Sequence, residues 1–367
     1  MERQFNAERL TLARHRRGLN KTKLAAKVRL KAPAITAFEN ADREPSDEMV
    51  GRLAEALDFP VGFFYEDIED VVPLDAASFR SLSRMTAGQR DAALASGTLA
   101  MHLNRWIEER FGLPAPSVPD LDPGIINPAG AAAHVRAQWG LDSLPIANVL
   151  HTIEAHGVRV FALAAQYKEV DAFSFWHEQS STPFIIVGTH KTPERQVFDL
   201  AHELAHLVLH RDHASPRGRD EERQADEFAS NFLMPEVDVR RAAPRNPTLA
   251  DLGTAKHRWR VSVAALAFRM HKLNLITDWN YHNLCVQIST FGRDREMKSL
   301  PREQSQVLGK VLGSLRDQGK GRSDLAAALH VHQPDVDALL TGLVLAGING
   351  DGESTGEPSL RPALRLV

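Results

Sequence analysis

Thirteen residues, Phe198 to His210, constrain this chain more than any other stretch. They contain His202-Glu203-Leu204-Ala205-His206, an H-E-x-x-H sequence, in a segment of strong helical character. Leu200, Leu204, Leu207 and Val208 recur at helical spacing, and apart from Pro216 no Gly or Pro interrupts residues 194–217. Residues four apart on a helix share a face, so the imidazoles of His202 and His206 can reach one ion. Glu203 stands beside them, placed to polarise a water on that ion. Two inward histidines on an apolar helix are costly unless something satisfies them.

Catalytic zinc takes three protein ligands and keeps one position for water. A second helix is expected across Asp220–Ala229, with Ala225, Phe228, Ala229, Phe232 and Leu233 as its buried stripe. Glu222 and Asp226, four apart on it, share a face. Glu222 is the expected third ligand, with Glu221, one residue round the helix, as the alternative. Asp226 is expected to accept from the second nitrogen of a zinc-bound imidazole and so set its tautomer. His210 falls on the same face as His202 and His206, but a metzincin would need Gly at 209 and His at 212, where the chain has Leu209 and Asp212. His210 therefore reads as a helix C-terminal residue favoured by the dipole.

The block from Arg195 through Phe198, Ala201, His202, Glu203 and His206 to His210, then Glu222-x-x-Ala225-Asp226-x-Phe228-Ala229, then Phe232-Leu233-Met234-Pro235, resembles the ImmA/IrrE metallopeptidases. Two motifs agree in order and spacing. Characterised members of that family cleave a partner repressor. The resemblance thus implies a zinc endopeptidase, latent until activated, acting on a repressor linked to stress, phage or a mobile element. It covers roughly residues 1–290.

The first seventy residues differ in charge from the rest. Residues 1–43 hold eleven Lys/Arg against four Asp/Glu, whereas residues 44–70 hold one against nine. A basic block followed by an acidic one suggests a small domain with one side facing nucleic acid. Short helices are expected over Ala7–Arg17, Thr22–Val28, Ala32–Asn40 and Asp47–Leu57, with Gly18 closing the first and Asn20 and Ser46 as caps. This resembles the XRE-type helix-turn-helix, whose third helix lies in the major groove with its first side chains on base edges. Here that helix begins Lys31-Ala32-Pro33-Ala34, then Thr36, which offers few donors for base readout. Arg29 occupies a turn position where such motifs often carry Gly. The expected DNA contacts are Lys21, Lys23, Lys31, Ala32, Thr36 and Arg43, with affinity resting on phosphates, thymine methyls and DNA shape. By the palindromic habit of such proteins, a homodimer is expected.

The chain as a whole is expected to be α+β and multidomain. An all-α helix-turn-helix (1–70) would precede a helical connector and proline-rich linker (71–128). A minimal zincin-like metallopeptidase body (129–295), a small helical domain (296–348) and a flexible tail (349–367) would follow. Short β-branched or aromatic runs at Val158–Leu163, Asp171–Trp176 and Pro183–Val187 read as strands just before the H-E-x-x-H helix. Cys285 lies in an alternating, strand-like run, Asn283–Ile288, either as an inert buried thiol or as a thiolate able to occupy the zinc. Trp259 and Phe268 read as core. Tyr167, His177, His190 and His257 could each stabilise an oxyanion. Residues 323–332, followed by Val336, Leu339 and Leu340, imitate a helix-turn-helix core without a basic face, which suggests an interaction domain. One cysteine, no apolar leader and no run near ~20 apolar residues point to a cytoplasmic protein without a membrane span. Two other functions remain open: a regulator whose zinc domain senses without cleaving, and an antitoxin-like binding protein.

Overall fold

Helices at the N-terminus, a small mixed sheet and further helices at the C-terminus share one continuous apolar core. The computed structural model describes residues 4–67, 71–72, 86–163, 171–211, 218–291 and 296–345. Tyr167, residues 73–85 of the expected connector and the tail from residue 349 lie outside them. Among the described residues no helix is long and apolar enough to cross a membrane.

The head comprises α1 (Ala7–Arg16), α2 (Lys21–Lys27), α3 (Ala32–Glu39) and α4 (Asp47–Leu57). Each of α1, α2 and α4 begins at a side-chain cap, from Asn6, Asn20 and Ser46 respectively. Leu10, Leu24, Ile35, Val50, Leu53 and Leu57 are fully buried between them. Arg14 donates to Glu39 at 2.5 and 2.9 Å, tying α1 to α3. Arg29 has φ +52°, so the turn between α2 and α3 takes the left-handed conformation that Gly adopts without strain.

A long helix, α5 (Ala87–Glu108), connects head to body. Residues 112–127 then follow an extended path over the body rather than a free tether. Ser117 N–H donates to the His156 carbonyl and Leu121 N–H to that of Val208. Gly157 (φ +83°) allows this crossing, because a Cβ there would lie 2.4 Å from the Pro116 backbone. Helices α6 (Pro128–Gln138) and α7 (Val149–Ala155) lead into the sheet, capped by the side chains of Asn127 and Asn148.

The sheet has strand order β1-β3-β2, with β1 (Arg159–Leu163) parallel and β2 (Ala172–His177) antiparallel to the central β3 (Thr182–Gly188). On it lies α8 (Pro193–Leu209), started by the Thr192 cap and Pro193. Next come α9 (Arg219–Leu233), α10 (Glu236–Ala242), α11 (Leu249–Ala255), α12 (Val263–Lys272) and α13 (Asp278–Phe291). The last corrects the strand-like reading around Cys285. Residues 283–288 are helical, and only Leu284 of α13 is buried, so the alternation there did not mark a sheet face. Trp259 is buried as expected. Phe268 is not core: it is 45% exposed.

The C-terminal helices α14 (Gln306–Asp317), α15 (Arg322–Ala328) and α16 (Gln333–Leu340) repeat the head's α1–α3. At a constant offset of 301 residues, Gly18, Leu24, Ala25, Arg29, Pro33, Ile35 and Phe38 correspond to Gly319, Leu325, Ala326, His330, Pro334, Val336 and Leu339. The backbone repeats too: Gly18 and Gly319 have φ +62° and +71°, and Arg29 and His330 both +52°. Where α3 has Ala34, however, α16 carries a buried Asp335. Arg16 donates to it at 3.1 Å and Arg17 at 2.7 and 2.8 Å. The segment before the repeat is bolted to the start of α8: Leu300 N–H and Lys256 Nζ both donate to buried Glu194 at 2.7 Å, and Arg302 to Gln196 at 2.5 Å. Gly342, in a left-handed turn with φ +80°, packs on Thr189, where a Cβ would come within 2.6 Å.

Candidate metal centre

Helical geometry alone brings His202 and His206 together on α8, with their Nε2 atoms 3.2 Å apart. The third group comes from α9, which packs on both α8 and α6 and buries Ala225, Phe228, Ala229 and Phe232. Acids in its first turn, Asp220, Glu221 and Glu222, suit the positive end of the helix dipole. Of these, Glu222 meets the imidazoles, with its Oε2 3.5 Å from His202 Nε2 and its Oε1 3.6 Å from His206 Nε2. One ligand atom from each of His202, His206 and Glu222 lies within 4.8 Å of the other two, and Glu221 is not in that cluster. Two imidazole nitrogens and a carboxylate are a donor set suited to catalytic zinc, so these residues fit such an ion.

The outer nitrogens are also engaged. His202 Nδ1 donates to Asp226 Oδ1 at 3.0 Å, which leaves Nε2 to face the centre. A chain of bonds does the same for His206. His210 Nε2 donates to Gln224 Oε1 at 2.8 Å, so its Nδ1 accepts from His206 Nδ1 at 3.0 Å. His206 is then the tautomer whose Nε2 lone pair points to the centre. His210 is thus the cap of α8, as its position suggested, and also the partner of His206. Gln224 had no sequence signal beyond its place on the second helix.

Charge at the site favours a cation. Burial opposes a charged ring at His202, yet hydrogen bonds to Asp226 and Glu222 and the charge of Glu203 push its pKa up to about 10. Burial likewise opposes ionisation of Glu222, but the two imidazoles hold it far below the usual carboxylate range. One turn before His202, Asp199 is pushed up to about 7 by burial, against the pull of Arg195, which donates to it at 2.9 Å. Arg195 and Lys191 also bind Asp171 at the head of β2 and, against its burial, keep it below the ordinary range.

Glu203, 4% exposed, points to the sheet side of α8, where Ser174 Oγ donates to its Oε2 at 2.7 Å. Ser174 escaped the sequence reading; its one signal was a polar residue inside Phe173-Ser174-Phe175. A groove of about 2280 Å³ opens beside the centre, lined among others by Arg195, Phe198, Asp226, Phe268, Tyr281 and Cys285. His190 lies on its wall, whereas His177 bonds Ser180 and His257 is exposed in a single 3-10 turn.

On the head, Lys23, Lys31 and Arg43 are exposed, while Lys21 is drawn to Glu39 at 3.2 Å. Ala32 and Thr36 are half-buried at the start of α3, and the Thr36 hydroxyl donates to the Ala32 carbonyl at 3.3 Å. That bond uses the Thr36 donor within α3 itself.

Two family models match the chain: the IrrE N-terminal-like domain, Peptidase M78, over residues 153–271, and the helix-turn-helix over residues 11–64. No curated protein matches it.

Proposed function

We propose that this chain, which joins an IrrE-like M78 peptidase domain to a DNA-binding helix-turn-helix, is a zinc-dependent endopeptidase and transcriptional regulator. Its substrate would be a partner repressor in a stress, phage or mobile-element response, cut in the cytoplasm. The observation that carries this reading is the convergence of His202, His206 and Glu222 from two helices, with Glu203 between the histidines.

In this scheme His202, His206 and Glu222 hold the zinc, and Asp226 and His210 fix the two imidazoles. Zinc bound there supplies Lewis acidity, polarising the scissile carbonyl and acidifying a water. Glu203 takes the proton from the attacking water and returns it to the leaving amine. The head, residues 1–70, holds DNA chiefly through the phosphates, as a homodimer on paired half-sites.

One observation favours a second reading, a DNA-binding regulator whose zinc domain senses without cleaving: Glu203 and His206 are 4% and 1% exposed. The test compares cells expressing wild type or Glu203→Gln, with and without DNA damage, by mass spectrometry of new protein N-termini. A neo-N-terminus found with wild type alone supports the peptidase and identifies its substrate. None in any arm, with both proteins carrying zinc, supports the sensor.

A further inference from the structure

Strand β2 lies at the edge of the sheet and runs alongside α8 in the same direction, and their repeats match. Two strand residues advance about 6.6 Å and four helical residues about 6 Å. Alternate β2 side chains therefore meet successive turns of α8. Ser174 lies on Glu203, and Trp176 lies on Leu207, donating its indole N–H to the Leu207 carbonyl at 3.1 Å. Ser174 is fully buried. Its Oγ is 2.7 Å from Glu203 Oε2 and 3.3 Å from the Glu203 carbonyl. A hydroxyl has one hydrogen to give, and that carbonyl already accepts the helical bond from residue 207. The hydrogen goes to the carboxylate.

Resting on the peptidase reading above, we infer that Ser174 is a positioning residue for the general base. By holding Oε2 it sets the rotamer of Glu203, whose carboxylate takes the proton. The water O–H bond breaks as the carboxylate O–H bond forms and the water oxygen bonds to the carbonyl carbon, and that proton passes to the leaving nitrogen as the C–N bond breaks. Throughout, the Ser174 hydrogen stays on its own oxygen. A merely structural Ser174 would serve the backbone of α8 alone and leave the carboxylate indifferent to its loss.

The test uses the full zinc-loaded chain with Ser174→Ala, Ser174→Thr and Ser174→Cys, the last keeping the volume with a weaker donor. Crystal structures read the Glu203 rotamer, mass spectrometry the zinc content. Kinetics use a peptide spanning the bond found by the neo-N-terminus experiment. The expected result is a displaced carboxylate in Ser174→Ala at unchanged zinc content. With it, kcat should fall about ten- to a hundredfold, KM should change less than about twofold, and Ser174→Thr should recover most of the rate. A carboxylate unmoved in Ser174→Ala, or equal kcat in the Ala and Thr variants, overturns the inference. If wild type cuts nothing, the peptidase reading fails, while the rotamer still decides the role of Ser174. Should Ser174→Ala not fold, Ser174→Cys carries the same comparison.

Discussion

The proton on His202 should compete with zinc over an unusually wide pH range. Three carboxylates surround that ring, and against its burial they push its pKa up to about 10, where an ordinary histidine titrates near ~6.5. Zinc needs the neutral imidazole, so binding must expel this proton, and apparent affinity rises about tenfold per pH unit below the pKa. Between pH 7 and 8.5 the apparent Kd should therefore tighten about thirtyfold, whereas a ring with a pKa near 6.5 would give less than about a 1.5-fold change. The assay is competition against a chromophoric chelator at several pH values, on wild type and Asp226→Asn. That variant removes the partner 3.0 Å from Nδ1, so its curve should be shallower. At pH 8.5 its affinity should also be about ten- to a hundredfold weaker, as for other lost partners of zinc-bound histidines. Protons released by other groups are common to both proteins, so the difference in slope belongs to His202. Identical slopes would refute the carboxylate cage as the cause.

Three further outcomes follow from contacts elsewhere. Asp335→Ala should leave two guanidinium groups without their buried partner; at the low end of such losses, about 3 kcal/mol, amide exchange in α1 and α16 should quicken about a hundredfold. Arg17 and Arg16 hold Asp335 below the ordinary carboxylate range against its burial, so this clamp is present above about pH 4 and lost as pH falls through the depressed pKa. Glu154 is pushed up to about 7 by burial, although it accepts from Ser305 and from Gln306 N–H at the start of α14. A raised acid stabilises the fold below its unfolded pKa, and that share is lost as pH rises through about 7; Glu154→Gln should flatten this part of the Tm–pH curve. Finally, Lys23→Ala with Lys31→Ala should lower the salt slope of DNA binding by about two while weakening all sequences alike; a change confined to one sequence would argue for base readout instead.

Much of the site was legible because it is local. Histidines four apart share a helix face wherever the helix goes, so His202, Glu203 and His206 needed no tertiary information. The helices of the head were equally plain, because caps and apolar spacing act within a few residues. The choice between Glu221 and Glu222 was different in kind. It turns on how α9 is rotated against α8, which is set by the burial of its whole apolar stripe from Ala225 to Leu233. Cys285 misled for the opposite reason: α13 buries little, so its apolar residues followed no face that periodicity could report. Ser174 and Gln224 share one lesson. The contacts that define them span 29 and 14 residues of chain. The sequence by itself thus determined the chemical groups and the local elements that carry them. Tertiary structure alone decided which of those groups meet, because apolar burial fixes the spacing and rotation of elements while leaving no mark on the residues it brings together.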